Sequence, residues 1–298
     1  MSEIPRIKQK LDTLQHLLQG MGSLVLAYSG GVDSTFLLKV AKDALGDNVL
    51  AVTAVSPTYT QEEYERACKT ARSLGVRHLT IQTNELENPE FLKNSPRRCY
   101  YCKRELFQKL RTIADQEGIL FVADASNQDD CSDYRPGRIA GKEAGIRSPL
   151  IEAGFRKNEI RALSREMGLP TWDLPAMACL ASRFPHGEFL TLEKIKRVDQ
   201  AEKFLRDLGF QQVRVRSHDR LSRIELDPVL VYKFTEFFRL RAKILRELKR
   251  LGFVYVTLDL EGYRTGSLNE VLPPIDQEEM GWKYIRDKFL SEKSDKDE

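Results

Sequence analysis

At 298 residues, 41% hydrophobic and 31% charged, the chain suits one large or two medium domains with a sizeable core. Its 47 Lys and Arg against 44 Asp and Glu leave a net charge of +3, without the basic excess of a dedicated nucleic-acid binder. No apolar stretch reaches transmembrane length, and five cysteines in such a chain argue for metal or thiol chemistry rather than a disulfide framework.

Met1 to Gly20 mixes charges with Ile7, Leu11, Leu14 and Leu18, the spacing of an amphipathic helix rather than a signal peptide, so a cytoplasmic protein is expected. Leu24 to Tyr28 reads as a buried parallel strand, and Phe36, Leu37, Val40, Ala41, Ala44 and Leu45 set a helix over Thr35 to Leu45. Between them, Ser29-Gly30-Gly31-Val32-Asp33-Ser34 has the context of a phosphate loop. Two glycines let backbone N–H groups curl into an anion nest, and the helix N-terminus adds unpaired donors and its positive dipole end. Ser29 and Ser34 contribute hydroxyls, and no Lys follows the glycines, so this is not a Walker A sequence. The competing reading is an ordinary strand–helix turn capped by Asp33 or Ser34.

Strands over Val49–Val55, His78–Thr83 and Ile119–Asp124 alternate with helices over Gln61–Leu74 and Lys103–Glu117. That rhythm predicts an α/β fold, a parallel sheet with helices on both faces. Ligands sit beyond the C-terminal strand ends of such sheets, so Ser56-Pro57-Thr58 and Asp124-Ala125-Ser126-Asn127 are candidates for the loop's cleft. Ile146 to Leu150 is expected to form a short fifth strand, and Asn158 to cap a helix through Met167 that Gly168 ends. Pro170 to Gly187 fits a connector. Beyond it, a helix over Thr191–Leu208, antiparallel strands over Gln212–Arg216 and Ser222–Leu226, a long helix over Pro228–Leu251 and a strand over Phe253–Leu258 make a small α+β domain. The expected division is 1–186, 187–270 and a C-terminal segment 271–298, whose charged tail from Ser291 is expected to be disordered.

Cys99-Tyr100-Tyr101-Cys102, at a loop-to-helix transition, is compatible with a redox pair, half a zinc site or part of an iron–sulfur site. No second CxxC completes a zinc ribbon, but Cys179 could supply a third thiolate and leave one metal position open. Cys68 reads as helix packing, and Cys131 is ambiguous. Asn127, Asp129, Asp130, Asp133 and Arg135, with Asp124, crowd a strand end; they suit Mg²⁺ and ATP contacts, or simply a solvated turn-rich loop. Arg214 and Arg216 share one strand face and could offer guanidiniums to a phosphate or carboxylate, or pair with Glu202 and Glu225 on a solvent face.

SGGVDS resembles the pyrophosphate loop (PP-loop) of the ATP pyrophosphatases, which cut ATP between its α and β phosphates and adenylate a substrate. The order of that loop, Asn127–Gly137, Ser148-Pro149-Leu150, Lys157–Arg161, Gly168–Trp172, Ala178–Arg183 and Arg214-Val215-Arg216 is similar to one family over about residues 5–270. These are the ATP-dependent sulfurtransferases that thiolate pyridinium-3,5-biscarboxylic acid mononucleotide on the way to the nickel-pincer nucleotide cofactor.

The resemblance implies an adenine nucleotide alpha hydrolase-like PP-loop domain followed by the α+β domain. ATP and Mg²⁺ would sit at Ser29, Gly30, Gly31, Val32, Asp33, Ser34, Ser56, Asp124 and Asn127, with Asp33 and Cys179 catalytic. Arg183, Arg214, Arg216, Glu202 and Glu225 would bind the substrate. One form of the family sacrifices the cysteine at position 179; the other holds a [4Fe-4S] cluster on a CxxC plus that cysteine. Cys99, Cys102 and Cys179 resemble the second form. The implied partner is a small-molecule nucleotide, without nucleic acid or membrane, and the implied assembly is a hexamer. Rival readings are a tRNA thiolation enzyme of the same superfamily, an amidating synthetase and a non-catalytic nucleotide- or metal-binding regulator.

Overall fold

The computed structural model describes residues 3–131, 135–175, 177–232, 234–264 and 266–271. Asp133 and the expected disordered tail lie outside them. Among the described residues, no helix is long and apolar enough to cross a membrane.

Four parallel strands, β1 (Leu24–Ala27), β2 (Val49–Val55), β3 (Arg77–Gln82) and β4 (Phe121–Ala123), form one sheet in the order β3-β2-β1-β4. Central β1 pairs with both neighbours, Leu24 opposite Val49 on one side and Phe121 on the other. Strand side chains alternate between faces, and both faces are covered. Leu24, Leu26, Val49, Ala51 and Ala123 join a core with α1 (Glu3–Met21), α2 (Val32–Leu45) and α3 (Gln61–Ser73). Val25, Leu50, Val52 and Val122 join the opposite core, which includes Leu106, Phe107 and Leu110. This is why the strands read as continuous apolar runs.

The remaining helices of this part are α4 (Pro89–Leu92), α5 (Arg98–Gln116), α6 (Gly137–Glu143), α7 (Pro149–Glu152) and α8 (Lys157–Glu166). Three sequence expectations differ from it. The expected fifth strand reduces to one parallel bridge, Ala123 with Arg147, because Pro149 starts α7 immediately afterwards. Proline's fixed φ suits a first helical turn better than a ladder. Helix α8 starts at Lys157, not after an Asn158 cap; Asp129 accepts from the Lys157 backbone N–H at 2.7 Å. Helix α5 begins at Arg98, so Cys99 and Cys102 lie on its first turns rather than in a preceding loop.

The second unit contains α9 (Leu192–Asp207), β5 (Val213–His218), β6 (Leu221–Leu226), α10 (Pro228–Tyr232), α11 (Phe234–Arg250) and β7 (Tyr255–Leu258). Strands β5 and β6 are antiparallel, and β7 joins β6 in parallel. Helices α10 and α11 cover the span read as one helix. Ile195, Val198, Ala201 and Leu205, spaced for one face of α9, pack with Val213, Val215 and Ile224. This core also takes in Phe91, Leu180, Ala181 and Phe184, so the connector is built into it.

Candidate active site

The phosphate loop follows β1 at the point where strand order turns from β2 to β4, the usual ligand position in an open parallel sheet. Gly30 has φ of +71°, and a Cβ there would stand 2.8 Å from the Cα and Cβ of Ala67 on α3. Only glycine meets both demands. Gly30→Ala is therefore expected to destabilise the fold by about 2–4 kcal/mol, combining left-handed strain with overpacking; urea denaturation reads this.

Gly31 caps α2 without any side-chain hydrogen bond, so Asp33 and Ser34 lie inside the first helical turn instead of capping it. The helix end is left with donors suited to an anion. Ser29 Oγ lies 3.1 Å from Ser34 Oγ, which closes the loop's two ends on each other.

Asp33 is bonded to the Lys157 ammonium at 2.5 Å across 124 residues of sequence. Burial pushes the Asp33 carboxyl up, against the pull of Lys157. Among the described residues, its Oδ1 is buried with no hydrogen-bond partner. A carboxylate oxygen left over beside a phosphate loop fits a hard cation such as Mg²⁺. Asp124, by contrast, accepts from Ser126 N–H at 3.2 Å, Ser126 Oγ at 2.8 Å and Ser148 Oγ at 2.7 Å. Asn127 Oδ1 accepts from Asp129 N–H at 2.9 Å, and Asp130 accepts from Asn127 N–H at 2.9 Å. Asp124 and Asn127 therefore shape the strand-end loop, and the orphaned oxygen belongs to Asp33.

A cleft of 330 Å³ opens beyond β1 and β2, lined among others by Ser29, Ser56, Tyr59, Lys103, Lys196 and Asp199. Lys196 and Asp199 come from α9, so the second unit closes one side. Tyr59 in this lining adjoins Thr58, whose carbonyl accepts from Leu180 N–H beside Cys179. The Tyr59 hydroxyl is pushed well above the ordinary tyrosine range by burial, and the charges of Cys102 and Cys179 add to the shift.

Cys99 is exposed; Cys102 and Cys179 are half-buried and pack against the second core. Burial pushes the Cys102 thiol well up, with Glu85 and Cys179 adding to it. The Cys179 thiol is raised by burial and pulled back by Arg98, while Cys99 raises it. The three sulfurs thus act on one another. Cys102 Sγ donates to Glu85 Oε1 at 3.6 Å, and the other oxygen of this buried carboxylate has no partner among the described residues. Among the described residues, no three His, Cys, Asp or Glu side chains converge on a single metal ion. A cubane cluster spreads its thiolates over separate irons and does not require such convergence. Three neighbouring thiols with guanidiniums beside them fit that group. Cys68 and Cys131 are half-buried free thiols elsewhere.

The Cys179 segment is held at both ends. Leu180 N–H donates to Thr58 O at 2.8 Å, tying it to the end of β2. Three buried arginines take its carbonyls. Arg183 donates to Ala178 O at 2.8 Å and Cys179 O at 3.3 Å, Arg98 to Ala181 O at 2.8 Å, and Arg216 to Ser182 O at 2.9 Å. Arg183 forms a two-pronged pair with Glu202 at 2.8 and 2.9 Å, and Arg216 Nε meets Glu225 at 2.9 Å. Of the expected pairs, Arg216 with Glu225 is present, but buried between sheet and connector rather than on a solvent face, while Glu202 is taken by Arg183. The Arg214 guanidinium stands over the Tyr263 ring at 5.2 Å, close enough to Arg183 for each charge to oppose the other.

Sequence reasoning did not select Lys157, Tyr59, Glu85 or Arg98 as site residues. Arg98 carried a signal, a cation beside a CxxC, and Lys157 opens one of the segments behind the family resemblance; Tyr59 and Glu85 carried none.

A sequence-family profile described as NAD synthase matches residues 6–104, the stretch that holds the phosphate loop and reaches past Cys102. The chain is 42% identical over 264 residues to pyridinium-3,5-bisthiocarboxylic acid mononucleotide synthase of Lactiplantibacillus plantarum, covering 88% of this chain and 95% of the relative. It is 48% identical to an uncharacterized protein of Synechocystis sp., over 89% of this chain and 99% of the relative. An NH(3)-dependent NAD(+) synthetase of Chlorobaculum tepidum is 28% identical over 51% of this chain and 55% of its own length.

Proposed function

The chain belongs to the family of pyridinium-3,5-bisthiocarboxylic acid mononucleotide synthase, enzymes that use ATP for sulfur transfer, and on that premise we propose its reaction. It adenylates a carboxylate of pyridinium-3,5-biscarboxylic acid mononucleotide and replaces the activated oxygen with sulfur, giving a thiocarboxylate. The observation that carries this reading is the tie between cleft and cysteine segment: Leu180, next to Cys179, donates its N–H to Thr58 O at 2.8 Å, and the adjoining Tyr59 lines the cleft.

In this reading the backbone donors of Ser29–Ser34 and the start of α2 cradle the polyphosphate. Asp33 would hold Mg²⁺, which supplies charge neutralisation there. The substrate carboxylate attacks the α phosphorus, and pyrophosphate leaves. AMP is then a good leaving group from the acyl carbon, where an oxide would not be. Cys99, Cys102 and Cys179 would hold a [4Fe-4S] cluster, which would supply sulfide to displace AMP. Arg98 and Arg183 set Cys179 in place through the neighbouring carbonyls and offset thiolate charge. Arg214 and Arg216, with Arg183 and the counter-ions Glu202 and Glu225, form the cationic floor for the substrate's phosphate. A hexamer in the cytoplasm is part of the same reading, and mass photometry tests the assembly.

The test is anaerobic incubation with ATP, Mg²⁺, sulfide and the biscarboxylic mononucleotide. Substrate-dependent pyrophosphate release and a product carrying sulfur in place of oxygen are expected; no substrate-dependent release would sink the reading. Cys99→Ala should bleach the visible absorption of anaerobic protein and lower its iron and sulfide. A colourless protein that spends Cys179 once per chain would instead assign the sulfur to that cysteine. Arg214→Ala is expected to raise KM for the mononucleotide about tenfold or more, through loss of a charge-assisted contact, with KM for ATP unchanged. Equal effects on both would count against a substrate role.

A further inference from the structure

Helix α3 packs directly against the phosphate loop, since Ala67 closes on Gly30. The preceding residue, Arg66, extends its guanidinium to Met177 beside that loop. Nη2 donates to Met177 Sδ at 2.7 Å, and its Nε is buried without a partner among the described residues. The Met177 methyl in turn lies 3.8 Å from where a Cβ on Gly31 would stand. A cation of high donor capacity therefore sits at an anion-binding turn, spending one donor on a thioether, a weak acceptor, and another on nothing. Guanidinium groups bind phosphate oxygens through paired, charge-assisted bonds far stronger than N–H to sulfur.

We propose that Arg66 is a ligand of the ATP polyphosphate, moving from Met177 Sδ to the phosphate oxygens when ATP enters. The assignment rests on the phosphate-loop reading above. In this assignment Met177 Sδ accepts a donor that the anion would take, and the loop's positive charge comes from α3 as well as from the start of α2. The leaving pyrophosphate keeps this contact after the α–β bond breaks, whereas AMP does not.

Titration calorimetry with Mg²⁺-pyrophosphate, ATP and AMP on the full chain separates these ligands. Arg66→Gln is expected to weaken pyrophosphate and ATP about tenfold or more, with AMP within about twofold. Arg66→Lys should recover part of the loss, having charge but no fork. Met177→Leu, which keeps the bulk and removes the competing acceptor, should bind pyrophosphate at least as tightly as the unmodified chain. Unchanged pyrophosphate binding in Arg66→Gln overturns the assignment. So does a Met177→Leu loss equal to that of Arg66→Gln, which would make Arg66 a brace for Met177 only. If the unmodified chain binds neither ATP nor pyrophosphate, the phosphate-loop reading itself fails.

Discussion

Asp33→Asn is expected to lower ATP-dependent pyrophosphate release by about 10²-fold or more, while the chain melts no lower than the unmodified protein. The kinetic part follows from the orphaned Oδ1 beside the phosphate loop. A carboxylate that holds a metal on a polyphosphate contributes several kcal/mol to the barrier, and each 1.36 kcal/mol is about tenfold. The stability part follows from the direction of its titration. Burial raises the carboxyl above its ordinary value despite Lys157, so the folded state binds this proton more tightly than the unfolded chain does. Its contribution to stability is then largest at low pH and is lost as pH rises through the folded value. At neutral pH the ionised group opposes folding, and the amide removes that opposition. Lys157, with its side chain 33% exposed, can turn its ammonium to water. Retained release in Asp33→Asn would remove Asp33 from the role.

Glu202→Ala should destabilise the fold by about 3–5 kcal/mol, because it leaves Arg183 charged and buried without its partner. Glu202 is fully buried, carries both prongs of Arg183 and accepts from Val215 N–H at 3.0 Å. Burial pushes its carboxyl up, but Arg183 more than reverses this and leaves it below the ordinary range. The stability it contributes is therefore present above the unfolded pKa and lost as pH falls through the folded one. Replacing both partners by apolar residues, Arg183→Met with Glu202→Leu, should recover much of the stability measured in urea. It should not recover thiocarboxylate formation, since the carbonyls of Ala178 and Cys179 would still lack their donor. A Glu202→Ala protein within about 1 kcal/mol of the original would show the pair to be dispensable.

The parallel sheet and the phosphate loop were legible because both are local. Leu24–Ala27 is apolar on both faces, and Gly30 with Gly31 punctuates the passage into an amphipathic helix. Element ends were less legible. Helix α2 starts at Val32 and α5 at Arg98, since first turns contain polar residues that periodicity does not register. Pro149 turned an expected strand into a helix start, a choice between two local rules decided by proline's backbone.

By itself the sequence determined that this chain has a glycine turn between an apolar strand and a helix, and a CxxC among five cysteines, because glycines and thiols carry their chemistry wherever they lie. Only the tertiary structure decided how these parts meet. Lys157 reaches Asp33 across 124 residues, Leu180 beside Cys179 bonds to Thr58 next to the cleft, and the arginine–glutamate pairs face inward to grip the carbonyls around Cys179. No spacing in a linear chain encodes such contacts. They arise when two hydrophobic cores fix the ends of one connector, and the buried charges between them must find each other or go unpaired.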